Sequence, residues 1–480
     1  MAMDTSIREL LEIAGERAIS FRENNEAASP YPKVDAEQLR KMFDTGLLEK
    51  GRPGKDVIKQ LADAAEPGLV GISSKRFYGW VMGSSHPAGV AADWLTSAWA
   101  QNSAIYQTSP SAAIAEEVAG KWLLDLLDLP RKSSFAFTTG ATMASFICLA
   151  AARSEVLKKV GWDLEKDGLF GAPEIKVFLS EEAHSTIFSG LRFLGFGRNR
   201  LVQISSDGDG RMETEDLAEK LASYDGPKMI IAQAGHINSA AFDNFVTISK
   251  LSRQVDGWLH VDGAFGLWAR TAPDYQHLCE GVDLADSWSV DGHKLLQVPY
   301  DSGYAIIKHP NAHMRAMTTS ASYLNETIED GRNPTLFVPE LSRRARGFAL
   351  WAVLQALGRD GVTELVDKNC KNAEQLAKRL AAIPGIRLHH KLYFNQLAIS
   401  FRDDSSDADH HKITMRTFEK LQEQQDWFLK EAEWKGHTIL RISFSSIPNS
   451  PQEIDKLADA IIAVYQSVLA VPSRLTTSKS

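Results

Sequence analysis

The chain has 480 residues, of which 44% are apolar and 24% are charged, and its formal net charge is −8. These values are typical of a soluble globular protein with one large domain and a smaller companion, or with two to three domains, and they exclude the basic surface of a nucleic-acid-binding protein. Three scattered cysteines argue against a disulfide framework and a metal site, and the lack of a secretory signal or an 18-residue apolar run predicts a cytoplasmic protein without a membrane span.

The N-terminal segment, residues 1–75, is predicted to be a helical arm. Proline-rich breaks separate three predicted helices, at residues 7–21, 36–43 and 55–65. No strand pattern occurs in this segment, so we expect the arm to pack on something larger. Residues 70–110 are rich in Ser, Gly, Trp and Tyr, which is typical of loops that line a site, and a helix is predicted at 112–127.

Between about residues 134 and 308, short apolar runs alternate with amphipathic stretches. The predicted strands are residues 135–137, 175–179, 201–204, 229–232, 258–261, 284–290 and 304–307. The predicted helices between them include residues 142–159, 185–194 and 213–222. Strands that alternate with helices predict right-handed βαβ units, and therefore an α/β fold whose mostly parallel sheet has helices on both faces. We assign residues 76–345 to this large domain.

The rest of the chain is predicted to form a small α+β domain at residues 346–470. The predicted helices are residues 340–357, 362–382 and 451–469, and the predicted strands are residues 385–390, 397–402 and 438–444. The polar tail at residues 471–480 is predicted to be disordered.

The most informative segment is the octapeptide at residues 287–294, which ends in His293 and Lys294 directly after the apolar run at 282–290. Lysine is rarely buried without a partner. An imine to a carbonyl cofactor would explain a lysine at a buried sheet edge, because desolvation favours the neutral, nucleophilic amine. A lysine that reaches solvent just past a strand end explains the same pattern equally well.

Polar segments follow four other predicted strands, and in parallel α/β sheets ligands bind at the carboxyl ends of strands. The segment TTGAT at residues 138–142 precedes a helix whose free N–H groups could cradle a phosphate, although an ordinary capped turn is the simpler alternative. Asp262, within HVDGAFG at residues 260–266, could keep a pyridine nitrogen protonated, although Asp-Gly turns are common.

His184 and Asn238 complete this set. His184 could stack on an aromatic ring and move protons, or it could be a structural histidine beside a helix N-terminus. Asn238 follows the strand at 229–232 and could donate to a ring hydroxyl. The joint occurrence of these residues with Asp262 and Lys294, each at a strand end, favours a cofactor site over the separate structural alternatives.

Four motifs carry a resemblance to a known family: HVDGA at 260–264, DSW at 286–288 with HK at 293–294, SxxAHS at 180–185 and AFDN at 241–244. With them the sequence resembles the pyridoxal-phosphate-dependent group II decarboxylases, which include aromatic amino acid and glutamate decarboxylases. The resemblance covers about residues 70–350, with weaker agreement to 470. It implies a fold-type I enzyme that uses pyridoxal 5′-phosphate to decarboxylate an L-amino acid. It also implies a homodimer whose N-terminal helices wrap the partner and whose active sites lie at the interface.

The resemblance also implies roles for individual residues, of which Lys294, His184 and His293 would be catalytic. The implied cofactor contacts are Lys294 through an imine, Asp262 at the pyridine nitrogen, Ala264 and His184 on the two ring faces, Ala141 and Thr142 at the phosphate, Asn238 at the ring hydroxyl and His293 beside the imine, where it could assist proton transfer.

Three departures from the family pattern bear on the chemistry. Ile237 stands where relatives often carry a hydroxyl residue, so Asn238 or Ser239 would take over its ring contact. Asp291 replaces a frequent asparagine, and we predict that its carboxylate points away from the phosphate. The loop at residues 326–338 lacks the tyrosine that protonates the carbanion in relatives; Arg332 and Phe337 are there instead, and we do not place the nearby Tyr323 in that role. This gap leaves oxidative deamination and transamination open as outcomes.

The predicted substrate contacts are Tyr78, Trp80, His86 and Arg441. The three ring-bearing residues suit an aromatic amino acid, which we favour slightly, but they could equally belong to a core. Arg441 could bind the substrate carboxylate through a bidentate bond, or it could be a surface arginine at a strand end. The alternatives that remain are an acidic amino acid decarboxylase, an aldehyde-forming oxidative deaminase and, outside the enzymes, a binding homologue without turnover.

Overall fold

The computed structural model describes residues 6–26, 28–318, 331–403, 410–446 and 449–470. Tyr323 and the predicted tail at 471–480 lie outside the described residues. Within them the chain forms a seven-stranded sheet and a four-stranded sheet, each covered by helices. This arrangement confirms the α/β architecture, and the added small α+β unit, that the sequence predicts.

The boundaries of most elements agree with the sequence prediction to within a few residues. The helices are α1 Ile7–Asn25, α2 Ala36–Phe43, α3 Gly54–Ala65, α4 Pro87–Trp99, α5 Pro110–Leu126, α6 Ala141–Lys159, α7 Leu164–Asp167, α8 Ser185–Phe193, α9 Thr214–Ala222, α10 Phe245–Gln254, α11 Pro310–Met317, α12 Gly347–Ala381, α13 His410–Gln424 and α14 Pro451–Leu469. The strands are β1 Ser134–Thr138, β2 Lys176–Ser180, β3 Leu201–Ile204, β4 Lys228–Gln233, β5 Trp258–Asp262, β6 Ser287–Asp291, β7 Gly303–Ile307, β8 Ile386–Leu388, β9 Gln396–Phe401, β10 Lys430–Trp434 and β11 His437–Ser443.

The seven-stranded sheet has the strand order β1-β7-β6-β5-β4-β2-β3. Strands β2 to β6 pair in parallel, whereas β7 is antiparallel to both of its neighbours, β6 and β1. Strand β1 therefore runs in the same direction as the parallel set. As a result, the carboxyl ends of β1, β2, β4, β5 and β6 all lie at one edge of the sheet, where ligands bind in folds of this kind.

Lys294 lies in the connection between β6 and β7. The segment that leads into β6 differs in one respect from the sequence prediction. The apolar run at 282–290 is not one strand, because Val282–Leu284 forms a 3₁₀ turn and β6 begins at Ser287. The indole N–H of Trp288 donates to Val282 O at 2.8 Å, so the turn folds back on the strand instead of extending it.

A close backbone approach joins β7 to the turn that precedes α6. A Cβ atom on Gly303 would lie 2.3 Å from Gly140 Cα, so the two segments can touch only because neither carries a side chain there. Helix α6 then packs across the sheet, and its largely buried surface includes Ala144, Ile147 and Ala151. The turn and the helix N-terminus are thereby fixed at the carboxyl edge of the sheet.

The four-stranded sheet is antiparallel, with the order β10-β11-β9-β8, and packs one face on α12, α13 and α14. Its closing helix α14 has the predicted bounds, and the two helices predicted before it are one element with a kink at Gly358, whose φ is 61°. The prediction missed α4, α7, α10, α11, α13 and β10. Strand β10 reads KEAEW, a composition that disfavours strands, and pairing with β11 overrides this preference.

The N-terminal arm consists of α1, α2 and α3. Arg17 of α1 forms ion pairs with Asp63 at 2.6 Å and Glu66 at 2.9 Å, which join α1 to the end of α3. Large apolar side chains of the arm remain exposed, among them Ile7 and Leu61.

Neither a membrane helix nor a metal cluster occurs in the described part of the chain. No helix there is long and apolar enough to cross a bilayer, and no group of three or more His, Cys, Asp and Glu is arranged to hold a metal ion. The cysteines Cys148, Cys279 and Cys370 are buried and unpaired.

Two buried histidines should make the fold sensitive to acid. Burial lowers the pKa of His260 and of His313 from 6.5 to about 3. Below about pH 6.5 the unfolded chain binds protons that the folded chain does not, so this stability is present at neutral pH and is lost as the pH falls towards 3. We expect the free energy of unfolding to fall by about 2 kcal/mol per histidine between pH 7 and pH 5.

Urea unfolding at pH 7, 6 and 5 would measure this loss. His313 contacts Ser134 Oγ at 2.9 Å and Phe337 O at 2.8 Å. His313→Gln keeps a donor and an acceptor but does not titrate, so its free energy of unfolding should depend less steeply on pH than that of the wild type. Equal slopes for the two proteins would contradict the prediction.

Candidate active site

Lys294 lies within the site and does not extend into solvent. Its side chain is 18% exposed, and its Nζ lies 3.1 Å from Asp291 Oδ2 and 5.9 Å from the centre of the Phe265 ring. Gly83 packs on its backbone, where a Cβ would lie 2.0 Å from Lys294 O, and Gly83 N donates to His293 O at 3.2 Å. The loop containing Gly83 therefore fixes the backbone that carries the amine.

Asp291 does not point away from the predicted phosphate cradle, so the prediction for this residue was wrong. Its Oδ1 accepts a 2.6 Å hydrogen bond from Ala141 N, at the start of α6, and lies 3.5 Å from His293 Nε2. The positive end of the α6 dipole and the Lys294 ammonium both attract this buried carboxylate inward.

Asp262 ends β5 and is buried. Its Oδ1 accepts from Ser289 Oγ at 3.4 Å and from Ala264 N at 3.3 Å. Burial raises the pKa of Asp262 above its ordinary value, while the charge that His184 carries when it is protonated, and the charge of Lys294, act in the opposite direction. A cation placed against this carboxylate would therefore be strongly attracted to it, because little water screens the pair.

His184 caps the N-terminus of α8. Its Nδ1 lies 2.7 Å from Thr186 Oγ1 and accepts from Thr186 N at 3.4 Å, which leaves the proton of the neutral ring on Nε2. Burial lowers the pKa of His184, and the charges of Asp262, Lys294 and Arg441 all act on it. His184 therefore shares one site with the other three residues and is neutral at pH 7.

His293 is held on two sides. Its Nδ1 accepts from Ser302 N at 3.1 Å, so the proton of the neutral ring is on Nε2 and faces Asp291. The Tyr300 ring stacks on the imidazole, with 4.3 Å between ring centres and 26° between ring planes. Burial lowers the pKa of His293. In this arrangement His293 is a hydrogen-bond donor toward the cradle.

Arg441 is a buried guanidinium on β11. Its Nη1 lies 3.5 Å from Asn238 Oδ1, which leaves the Asn238 NH₂ group to donate elsewhere. It has no acidic partner among the described residues, and its buried Nε has no acceptor there. Burial lowers the pKa of Arg441. A buried cation without a counter-charge is costly, so a site that binds an anion explains its presence.

The three other predicted substrate contacts have different surroundings. The Trp80 ring lies 5.6 Å from the Arg441 guanidinium and is partly exposed. Tyr78 requires a correction: its ring is buried between Trp427 and Phe444 and belongs to the core of the small sheet. His86 caps α4, and its Nδ1 accepts from Ala88 N at 3.2 Å, so the helix already uses this nitrogen.

The loop at residues 326–338 lacks a tyrosine, and its described part packs on the core. Arg332 forms an ion pair with Glu116 at 3.1 Å and stacks on the rings of Phe135 and Phe337. Burial lowers the pKa of Arg332. Neither Arg332 nor Phe337 offers a phenol, and both contact the core beside β1.

Comparison with known proteins identifies the family. The model of the pyridoxal-dependent decarboxylase conserved domain matches residues 36–402, which is more than half of the chain. The chain belongs to the pyridoxal-dependent decarboxylases. It is a carboxy-lyase that uses pyridoxal phosphate, and its relatives place it among the group II enzymes that act on amino acids.

The relatives of this decarboxylase are distant in sequence and close in fold. The 4-hydroxyphenylacetaldehyde synthase of Rhodiola rosea is 26% identical over 450 residues, which cover 89% of each chain. The aromatic-L-amino-acid decarboxylase of Bacillus atrophaeus is 25% identical over 350 residues, which cover 72% of this chain and 71% of the relative. A crystal structure of Oryza sativa TDC with PLP and tryptamine superimposes with a TM-score of 0.89 at 20% identity, covering 96% of this chain and 98% of the other.

The residues of the decarboxylase fit pyridoxal phosphate. Lys294 offers a primary amine and Asp262 a buried carboxylate within one site. The N–H groups of Thr142 and Met143, at the start of α6, have no acceptor among the described residues, and free N–H groups at a helix N-terminus suit a phosphate. A side chain at Gly140 would approach His293 Cε1 to 3.1 Å, so the glycine keeps the cradle open.

Sequence reasoning missed several residues that shape the site of the decarboxylase. Gly83 packs on Lys294, Tyr300 stacks on His293, and Ser289 donates to Asp262. Ser289 lies two residues before Asp291 on β6, so strand alternation could have found it. Gly83 and Tyr300 come from segments without a periodic pattern, and only the fold brings them to the lysine.

Proposed function

We propose that this enzyme removes CO₂ from the α-carbon of an L-amino acid, with an aromatic side chain slightly favoured. The observation that carries the proposal is the convergence of Lys294, Asp262, His184 and Arg441 on one site, where their charges act on one another. When bound there, pyridoxal phosphate supplies an aldehyde that condenses with amines and a protonated ring that accepts electrons.

Lys294 is the residue we propose to hold the cofactor covalently. Its position at the carboxyl edge of the sheet, its low exposure and its proximity to Asp262 support this role. Asp262 would keep the pyridine nitrogen protonated, because an opposite charge favours the protonated form. The neutral ring of His184 would lie against one face of the cofactor, with Ala264 on the other.

The phosphate would lie at the N-terminus of α6. Ala141 and Thr142 would donate backbone N–H groups, and the donor Nε2 of His293 faces the same region. Asp291 Oδ1 accepts from Ala141 N, so the Asp291 carboxylate would have to release this N–H group to the phosphate or share a proton with the phosphate, because two anions that compete for one N–H group repel each other. The NH₂ group of Asn238 would donate to the ring hydroxyl.

Arg441 would bind the substrate carboxylate. A bidentate bond from its unpaired guanidinium, with Trp80 packed beside it, would orient the carboxylate relative to the cofactor ring. Decarboxylation requires the breaking bond to stand out of the ring plane, so a fixed carboxylate contributes through orientation. The proton that replaces CO₂ on the α-carbon would come from a donor on the side of His293.

A second outcome is an aldehyde-forming oxidative deamination, in which O₂ and water are consumed and aldehyde, CO₂, ammonia and H₂O₂ are released. Two observations support it. The described part of the loop at 326–338 offers Arg332 and Phe337, both packed on the core, and no phenol. The second is that a relative 26% identical to the chain is a 4-hydroxyphenylacetaldehyde synthase.

We further propose that the enzyme is a cytoplasmic homodimer. The exposed apolar side chains of the arm, such as Ile7 and Leu61, suit burial against a second copy of the chain. We propose the arm at residues 1–75, the cofactor-binding domain at 76–345 and the small domain at 346–470 as its functional divisions.

Product analysis over a panel of aromatic, acidic and aliphatic amino acids tests the proposed function. We expect one CO₂ and one amine per turnover, with no ammonia and with the highest rates for aromatic substrates. Equal amounts of CO₂, ammonia and H₂O₂ would establish the second outcome instead. Absence of products from enzyme that carries its cofactor would overturn both and would indicate a binding homologue.

A further inference from the structure

Two side chains on the face of the small sheet that is turned towards the large domain form polar contacts with loops of that domain. Trp434 pairs with His437 and Lys430 pairs with Arg441, so Trp434 and Arg441 project from the same face of the β10–β11 hairpin. Trp434 Nε1 donates to Glu182 Oε2 at 2.8 Å, and Arg441 Nη1 lies 3.5 Å from Asn238 Oδ1. One hairpin therefore carries both the proposed carboxylate-binding residue and a second anchor.

Glu182 receives several donors at this anchor. Besides the Trp434 indole, His236 Nε2 lies 3.0 Å from Oε2, and Lys435 Nζ and Ser206 Oγ lie 3.0 and 3.1 Å from Oε1. These donors overcome partial burial and lower the pKa of Glu182 to about 2. We call Glu182, His236 and Trp434 the polar junction.

The polar junction is adjacent in sequence to the groups that would face the substrate. Glu182 precedes His184 by two residues, and His236 precedes Asn238 by two. His236 Nδ1 also accepts from Asn238 N at 3.3 Å, so the junction fixes that loop directly. It therefore joins the loops after β2 and β4 to the hairpin that carries Arg441.

We propose that Glu182 and Trp434 are positioning residues that hold Arg441 in place for the substrate carboxylate. Arg441 has no acidic partner among the described residues, so no ion pair of its own fixes its guanidinium. The position of the Arg441 guanidinium therefore depends on the β10–β11 hairpin. Trp434 lies about 13 Å from Arg441 along this hairpin. The inference rests on the proposed role of Arg441. It adds that the hydrogen bond from the Trp434 indole to Glu182 determines how tightly Arg441 binds the substrate carboxylate.

The test uses Trp434→Phe, which keeps an aromatic ring at the buried position and removes the N–H donor. Two probes separate the effects on the loaded enzyme: 3-phenylpropanoate has the carboxylate but no amine, and 2-phenylethylamine has the amine but no carboxylate. We expect the variant to bind 3-phenylpropanoate about tenfold more weakly, because a charge-assisted hydrogen bond no longer holds the hairpin. Binding of 2-phenylethylamine and of pyridoxal phosphate should change by less than about twofold.

Trp427→Phe is the matched control. Trp427 is also buried, at 6% exposure like Trp434, but it packs in the core of the small sheet and does not contact Glu182. It should bind both probes as the wild type does. Glu182→Gln provides a second variant if Trp434→Phe fails to fold, and it should weaken carboxylate binding selectively because a neutral amide holds the indole less strongly.

Arg441→Met separates failure of the inference from failure of the proposed function. If Arg441→Met leaves 3-phenylpropanoate binding unchanged, the proposed role of Arg441 is wrong. If Arg441→Met weakens binding but Trp434→Phe and Glu182→Gln do not, the positioning role is wrong. Equal weakening of both probes and of the cofactor would show that the junction acts on the whole fold, which also overturns the inference.

Discussion

Lys294→Ala should abolish covalent attachment of the cofactor and lower turnover by about 10³-fold or more. Lys294 offers the amine within the site, and its backbone is fixed by Gly83 and by the connection to β7. A methyl group cannot condense with an aldehyde. Borohydride treatment followed by mass spectrometry of the intact protein should therefore add the cofactor mass to the wild type and not to the variant.

Lys308→Ala is the control for this change. Lys308 follows β7 at the opposite edge of the same sheet, so it shares the scaffold but not the site. It should retain the colour of the bound cofactor and the rate of CO₂ release. If Lys294→Ala kept both the covalent mass and turnover, the proposed mechanism would be wrong at its first step.

Asp262→Asn should lower kcat by about 10- to 10³-fold, because an opposite charge shifts the pKa of its partner by about 1 to 3 units. The amide has nearly the same shape as the carboxylate, so the hydrogen bond from Ser289 can remain. Burial already raises the pKa of Asp262, so the neutral side chain should not destabilise the fold. The absorbance maximum of the bound cofactor should shift, whereas Asp262→Glu should retain part of the activity.

Asp243→Asn is a contrasting control. Asp243 is also buried, and burial raises its pKa to about 6, but it accepts from the backbone N–H groups of Met212 and Gln233. Its amide variant should unfold at a lower temperature and leave the absorbance maximum in place. A kcat for Asp262→Asn within threefold of the wild type would refute the proposed pairing.

The sequence predicted the sheet because its central strands are short, apolar and separated by amphipathic helices. Strands β1 and β4 to β7 are buried throughout, so their apolar composition reflects their location in the interior of the fold. The positions of Asp262, His184 and Lys294 follow from the same pattern, since Asp262 ends a strand and the other two residues come shortly after strands, all at one edge of the sheet. Strand β10 was not predicted because its lysine and glutamates carry no burial signal, and the hairpin that it forms with β11 supplies the pairing that this composition does not indicate.

Two residue assignments failed for physical reasons that a sequence does not display. Asp291 was predicted to point away from the phosphate cradle because a carboxylate and a phosphate repel each other. The N-terminus of α6 and the ammonium group of Lys294 attract the carboxylate instead. Tyr78 occurs among residues that are typical of a pocket lining, yet its backbone bonds to the small sheet, where Ser443 N of β11 donates to Tyr78 O at 3.0 Å. Both outcomes depend on which segments meet in three dimensions.

The antiparallel strand β7 has a consequence for how this catalytic framework can diversify. Residues 292–302 join two interior neighbours of the sheet, and Gly292 N and His293 N both donate to Ser302 O. A helical crossover can gain or lose residues at the surface, but this connection is constrained at both ends by ladder pairing. Insertions and deletions here would move the reactive amine relative to Asp262. New specificities in such a chain must therefore come from exchanged side chains on the surrounding loops, while the length of this connection stays constant.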